Sequence, residues 1–443
     1  MESLLRLGRK IIPRSVFEAL QPVYHYGLAL VGAIIYRFPS KHITVIAITG
    51  TKGKSSTTEI LNAILEEAGF KTAVIGTVRF KMGSESRRNL YKMTMPGRFF
   101  VQKFLREAVD KKCQYAILEM TSQAAVQYRH KFIDFDSLIF LNISPEHIEA
   151  HGSFENYLAA KLMLAKALEK SKKRPRTIIV NKDDVESPKF LDINVEQKLN
   201  FTPKDVDSVL LKDDGALITI GDWTILTNLK GMFNVYNTLA AMAYAKTQNV
   251  SMETIKNAMQ KLKVIPGRVQ KVDVGQGFDV VVDYAHTADS LEKLYQAFPN
   301  QRKVCVLGNT GGGRDTWKRP EMAKIADTYC DHIILTNEDP YDENPRDIIE
   351  DMLKGISAHQ PQVIMDRREA IHQAILKAKA MRDEREPSAE TEVNITNRAA
   401  AKDIAVLISG KGTDPYIMEA DGKKTPWDDA TVAREELQKI FQA

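Results

Sequence analysis

The chain has 443 residues, 27% of them charged and 44% hydrophobic, with a formal net charge of +5. That length exceeds what one hydrophobic core organises and asks for two or three domains of an ordinary globular kind, neither fibrous nor disordered. The mild positive charge suits anionic small molecules, and without a dense basic tract nucleic acid is not expected as a partner. In chain order, residues 1–42 come first as a short basic and apolar segment. Its apolar run, residues 26–36, falls short of the ~20 residues that a membrane span requires. No small-residue cleavage site of the secretory kind follows it. A helix packed on the next domain is expected there, with peripheral membrane contact as the sharper alternative.

Residues 43–266 read as a central domain in which strands and helices alternate, the pattern of a mostly parallel sheet. Strands are expected at 44–48, 73–75, 115–118, 137–141 and 177–180. Helices are expected at 55–68, 99–111, 154–170 and 235–248, with short antiparallel strands over 205–230. Ile265-Pro-Gly267 forms a hinge. Residues 267–443 then alternate again, from a strand at 279–282 to one at 404–408, as a Rossmann-like doubly wound domain. The fold class is therefore α/β. Residues 383–401 are polar and read as an exposed loop. The 3 cysteines, Cys113, Cys305 and Cys330, are scattered and apolar in context, as reduced core residues of a cytoplasmic protein would be.

The first strand runs into Gly50-Thr51-Lys52-Gly53-Lys54-Ser55-Ser56. Glycines permit the tight turn, and backbone N–H groups at the following helix N-terminus face an anion. Lys54 would reach the β- and γ-phosphates and the Ser55 hydroxyl would sit on Mg²⁺, so a nucleoside triphosphate is the expected ligand. Ile48 stands where the commonest phosphate-loop spacing has its first glycine.

Further motifs fall at strand ends in a fixed order: Glu119 with Ser122, then Asn142-Ile-Ser-Pro-Glu-His147 and His151, and Tyr157-Leu-Ala-Ala-Lys161. Gly231-Met-Phe-Asn234-Val-Tyr-Asn237, Asp283-Tyr-Ala-His286-Thr287, Gly311-Gly-Gly-Arg314-Asp315 and Gly410-Lys411-Gly412 follow. This ordered set resembles the Mur ligase family, most closely its UDP-N-acetylmuramoyl-tripeptide synthetases, over about residues 43 to 420. The resemblance implies an acid–amino-acid ligase that uses ATP and two Mg²⁺ ions to phosphorylate a muramoyl-peptide carboxylate, which an amino acid's amine then attacks. It implies Lys54, Glu119, His147 and Lys161 as catalytic residues, with Ser55, Glu119, His147 and Lys161 around the metals. Lys161 would be carbamylated, as N6-carboxylysine. Asn234, Asn237, Asp283 and His286 would contact the nucleotide. Thr94, Ser122 and Arg129 would contact the acceptor; Arg314, Asp339, Gly410 and Asp414 would contact the incoming amino acid.

The chain also departs from the family. Only about 42 residues stand where relatives carry a uridine-diphosphate-binding domain. Met95, Gln123 and Glu146 replace a Thr, a His and an Asp. Glu338-Asp339-Pro340-Tyr341 stands where diaminopimelate-adding members have Asp-Asn-Pro-Arg. Three acids, Glu338, Asp339 and Asp414, would then favour a basic amino acid such as lysine. The protein is expected to be a cytoplasmic monomer. A folylpolyglutamate or poly-γ-glutamate type of ligase is the nearby alternative, and a non-catalytic nucleotide-binding partner of a wall enzyme is the alternative from another class.

Overall fold

Apolar runs bounded by turn residues build two mainly parallel sheets, each buried on both faces by the helices that connect its strands. The computed structural model describes residues 14–146, 148–313, 315–384 and 403–442. The first sheet contains β1 (Thr44–Thr49), β2 (Thr72–Ile75), β3 (Arg79–Met82), β4 (Glu85–Arg88), β5 (Tyr115–Glu119), β6 (Ser137–Phe140), β7 (Thr177–Asn181) and β8 (Gln197–Phe201). Their order is β4-β3-β2-β5-β1-β6-β7-β8. β1 lies parallel between β5 and β6, with Ile48 opposite Glu119 and Thr49 opposite Phe140. The carboxyl ends of β1, β5 and β6 are thus neighbours, and in such sheets ligands bind there.

Three antiparallel strands follow, β9 (Ser208–Lys212), β10 (Gly215–Ile220) and β11 (Trp223–Thr227). The second large sheet holds β12 (Gln270–Lys271), β13 (Asp279–Val282), β14 (Arg302–Leu307), β15 (His332–Leu335), β16 (Gln362–Val363) and β17 (Ile404–Ile408). Its order is β12-β13-β17-β14-β15-β16, parallel except for β12 at the edge. β17 is last in sequence yet central, so the segment after it emerges between the ends of β13 and β14. The chain divides into two compact units, residues 1–206 with 236–258 and residues 207–235 with 259–443.

The expected elements are present with ends shifted by a residue or a few. The edge hairpin β3–β4 and the strand β8 were not anticipated: the alternation of β3 lasts only four residues, β4 is polar throughout, and β8 holds only Leu199 and Phe201 as apolar residues. The amino-terminal segment contains one long helix, Arg14–Ile35. Its Ala29 and Ala33 are buried, and Gly32 lies against Phe99 and Gln102 of the helix Arg98–Asp110. No described helix is long and apolar enough to cross a membrane. Most of the expected polar loop, residues 385–402, lies outside the described residues, as do residues 1–13.

One expectation is overturned. Cys305 and Cys330 are joined in a disulfide with Cα atoms 6.1 Å apart, and only Cys113 is a free, buried thiol. Cys305 lies on β14 and Cys330 ends the helix Lys318–Tyr329, which returns the chain to β15 beside it. Tertiary return across 25 residues creates that pair, and no local pattern announces it.

Candidate functional site

At the end of β1 the chain turns through Gly50 and Gly53 into the helix Lys54–Glu67. Gly53 has φ 83°, and a Cβ there would run into the Asn237 side-chain oxygen. Only glycine fits this turn. Asn142, just past β6, braces the loop: its carbonyl accepts from Thr51 N at 2.9 Å and its side-chain oxygen from Lys52 N at 2.9 Å. Lys54 Nζ donates to Gly50 O at 3.0 Å and Thr51 O at 2.8 Å, curling over the loop. Ser55 and Ser56 follow as buried residues of the helix's first turn.

Beside this loop, Glu119 ends β5. Its Oε1 accepts from Ser55 Oγ at 2.9 Å and from Thr77 Oγ1 at 3.0 Å, and its Oε2 accepts from Thr77 N at 2.7 Å. Thr77 Oγ1 lies 2.8 Å from Thr94 Oγ1. A chain of hydrogen bonds therefore joins Ser55, Glu119, Thr77 and Thr94. Two hard oxygens, the Ser55 hydroxyl and the Glu119 carboxylate, converge beside the phosphate loop, a donor set that suits Mg²⁺.

Lys161 reaches the same loop from the helix Phe154–Glu169, donating to Gly50 O at 2.7 Å. It is 1% exposed, and its ammonium lies 4.8 Å from the Tyr157 ring centroid. Burial, aided by the Lys54 charge, pushes its amine well below the ordinary lysine range, while Glu146 pulls the other way. Tyr157 OH meets Thr51 Oγ1 at 3.0 Å, and His151 Nε2 meets Ser122 Oγ at 3.0 Å. Arg129 donates to Met95 O and to Gln127 Oε1.

Asn237 accepts from Thr57 Oγ1 at 3.3 Å, which turns its carbonyl toward the Gly53 turn. Asn234, three residues earlier, donates to Lys230 O at 2.9 Å.

In the second unit, Asp283 is a half-buried brace: its two oxygens accept from Val269 N and Ala285 N, each at 2.7 Å, and desolvation raises its pKa. His286 Nδ1 is 2.7 Å from Tyr284 O. Past β17, Lys411 is 1% exposed and closes on Asp339 Oδ1 at 2.8 Å and Asp414 Oδ2 at 3.2 Å. Gly410 has φ 103°, and a Cβ there would strike Glu338 Oε2. Thr310 Oγ1 donates to Glu338 Oε1 at 3.0 Å. The Arg367–Asp429 ion pair, at 2.8 Å and buried, also bonds Ser409 O and fixes this turn.

Two domain families match, the Mur ligase middle domain over residues 48–245 and the Mur ligase glutamate ligase domain over 267–383. A UDP-N-acetylmuramoyl-L-alanyl-D-glutamate–2,6-diaminopimelate ligase of Syntrophomonas wolfei is 33% identical over 426 residues, covering 93% of this chain and 81% of that protein. The chain belongs to the Mur ligase family. The homologous ligase of Bacillus cereus is also 33% identical, with 93% and 81% covered. A solved UDP-N-acetylmuramoylalanyl-D-glutamyl-2,6-diaminopimelate–D-alanyl-D-alanyl ligase from Acinetobacter baumannii shares the fold at TM-score 0.63 and 20% identity, covering 88% of this chain and 77% of that one. Folylpolyglutamate synthase of Mycobacterium tuberculosis does so at TM-score 0.66 and 12% identity, covering 94% and 95%.

Within this Mur ligase, the first unit brings together Gly50, Lys54, Ser55, Glu119, Lys161 and Thr94. His147 and Arg314 lie outside the described residues. Among the described residues no group of three or more His, Cys, Asp or Glu is gathered as a metal cluster. Thr77 was missed, having no motif of its own; only pairing of β2 with β5 brings it to Glu119. Lys411 was visible inside Gly-Lys-Gly, but its partners were not. Because it engages both Asp339 and Asp414, the three-acid count behind a preference for lysine falls to Glu338 alone.

Proposed function

We propose that this chain is an ATP-dependent ligase that joins a carboxylate of a UDP-N-acetylmuramoyl-peptide acceptor to an amino acid's amine through an acyl phosphate, releasing ADP and phosphate. The observation that carries this reading is the Ser55–Glu119 contact beside a phosphate loop approached by two lysines. A phosphate chain and a carboxylate repel one another, so cations must lie between them. Lys54 and the helix N-terminus would receive the phosphates, with Asn234, Asn237, Asp283 and His286 as the further nucleotide contacts. Ser55 and Glu119 would hold one Mg²⁺, which supplies charge neutralisation when bound. Thr77 holds the Glu119 carboxylate in one orientation.

His147 and a carbamylated Lys161 would hold the second ion. A neutral amine attacks CO₂ and releases a proton to solvent, and the depressed Lys161 pKa raises the share of that neutral form. The resulting carbamate replaces a buried cation with an anionic oxygen ligand. Thr94, Ser122 and Arg129 would contact the acceptor; Arg314, Asp339, Gly410 and Asp414 would shape the amino-acid site.

In this reading the protein is a cytoplasmic monomer that touches the membrane peripherally. Exposed Leu20, Val23, Val31, Ile34 and Ile35 on one helix support the contact, with no Asp, Glu, Lys or Arg between residues 19 and 36. Flotation with anionic vesicles tests it: Val31→Asp with Ile35→Asp should abolish association.

The function itself is tested by product analysis with muramoyl-peptide and folate acceptors against the common amino acids. ADP and phosphate released with a muramoyl peptide are expected. AMP and pyrophosphate, or turnover with folate alone, would overturn the assignment.

A further inference from the structure

Two half-buried arginines of the first unit lie beside one another, and among the described residues no carboxylate pairs with either. Arg98 opens the helix Arg98–Asp110, and Arg129 follows the short helix Ser122–Val126. They share Gln127: Arg98 Nε donates to its backbone oxygen at 2.8 Å and Arg129 Nη2 to its side-chain oxygen at 2.7 Å. Among the described residues neither guanidinium has a carboxylate within ion-pair distance. Arg98 Nη2, Arg129 Nε and His25 Nδ1 are shut off from solvent and have no hydrogen-bond partner.

Such an arrangement is costly. A buried donor atom without an acceptor costs about 1–3 kcal/mol, and more when it belongs to a charged group. The electrostatics agree: burial and the neighbouring Arg98 lower Arg129 to about 10. Burial and both arginines lower His25 to about 4. Of the groups facing the cluster, only Tyr24 favours the Arg98 charge. The positive end of a 13-residue helix adds to the same field.

We infer that His25, Arg98 and Arg129 form an oxyanion-binding site in which Arg98 and the amino-terminal helix hold a phosphate or carboxylate group of the acceptor. The inference rests on the ligase reading for the word acceptor; the anion site itself rests only on the uncompensated charge. Arg129 falls in the family pattern, whereas the motifs that carry the resemblance give Arg98 and His25 no role. The site also gives the helix Arg14–Ile35 a task in recognition. A bound oxyanion would accept the orphaned N–H groups, with Arg98 presenting a planar fork to it.

The test uses the full chain carrying Lys54→Ala, to weaken the phosphate loop's own affinity, and titrates inorganic pyrophosphate and, separately, glutarate. Arg98→Gln is expected to weaken binding of the preferred anion at least 10-fold, and Arg98→Lys to restore part of it; which anion responds identifies phosphate or carboxylate as the group. In the chain with Lys54 intact, Arg98→Gln and His25→Phe should raise the acceptor KM about 10-fold with kcat and the ATP KM little changed. Melting temperature is the control for folding. Removing an uncompensated cation should leave Tm unchanged or raise it, whereas a merely structural arginine would lower it. Anion affinity unchanged in Arg98→Gln, or a lowered Tm with no loss of anion binding, would overturn the inference. Arg98-dependent anion binding in a chain that ligates nothing would retain the site and reject the ligase reading.

Discussion

The lysines at the glycine turns of the two units are held in opposite ways. In the first, Lys54 and Lys161 both end on the carbonyl of Gly50, inside the turn that would hold a phosphate chain. In the second, Lys411 closes on Asp339 and Asp414 and donates to Tyr416 O at 2.5 Å. Carbonyl oxygens carry only partial charge and leave a positive field to attract an anion, whereas two carboxylates extinguish it. The first unit is therefore set for anion chemistry, and the lysine of the second for holding a turn in shape.

That contrast can be broken experimentally, and the largest effect is expected at the phosphate loop. Lys54→Ala should lower kcat/KM by about 10³-fold or more, in the range for loss of a principal charge stabiliser, with Tm unchanged. If instead Tm collapsed, Lys54 would belong with Lys411. Lys161→Ala should come next, with a loss of roughly 10²- to 10³-fold that added acetate or formate partly restores. Mass spectrometry of the native protein in bicarbonate should detect the added carboxyl group, and an unmodified lysine would count against the carbamate.

Lys411→Met should show the reverse profile. Leaving Asp339 and Asp414 without their cation should cost about 3–5 kcal/mol of stability, read by denaturant unfolding, while nucleotide affinity stays near wild type. Thr77→Val sharpens the comparison on a smaller scale. Loss of the hydroxyl's bond to Glu119 should raise the Mg²⁺ concentration for half-maximal activity by roughly 10-fold, with activity recovering at high Mg²⁺. The smallest effect is in pH dependence without CO₂. Burial depresses the folded-state pKa of Lys161 below 10.5, so the unfolded chain binds more protons. Stability should then rise as pH climbs from that folded pKa toward 10.5, and Lys161→Met should remove the rise.

Much of the architecture was legible in the sequence because its signals are local. Apolar runs such as Thr44–Thr49 and Ile404–Ile408 declare buried parallel strands, and glycine at positions 50 and 53 declares a turn that side chains would block. Glu119 was legible for a related reason: a carboxylate directly after an apolar run must sit at a strand end. The hairpin β3–β4, by contrast, alternates over only four residues in β3 and has no apolar residue in β4, too little to declare a strand pair.

By itself, then, the sequence determined the family, the alternating α/β architecture and the identity of the phosphate-loop residues, each written in the order and spacing of neighbours along the chain. Tertiary structure alone decided which charges meet. Thr77 comes to Glu119 through the pairing of β2 with β5, and Cys305 meets Cys330 through the return of a helix to a neighbouring strand. Lys411 takes two acids that the sequence had offered to a substrate, and Arg98 settles beside Arg129 with no acid paired to either among the described residues. Charge pairing depends on distance in space and on exclusion of water, and neither is a property of sequence separation.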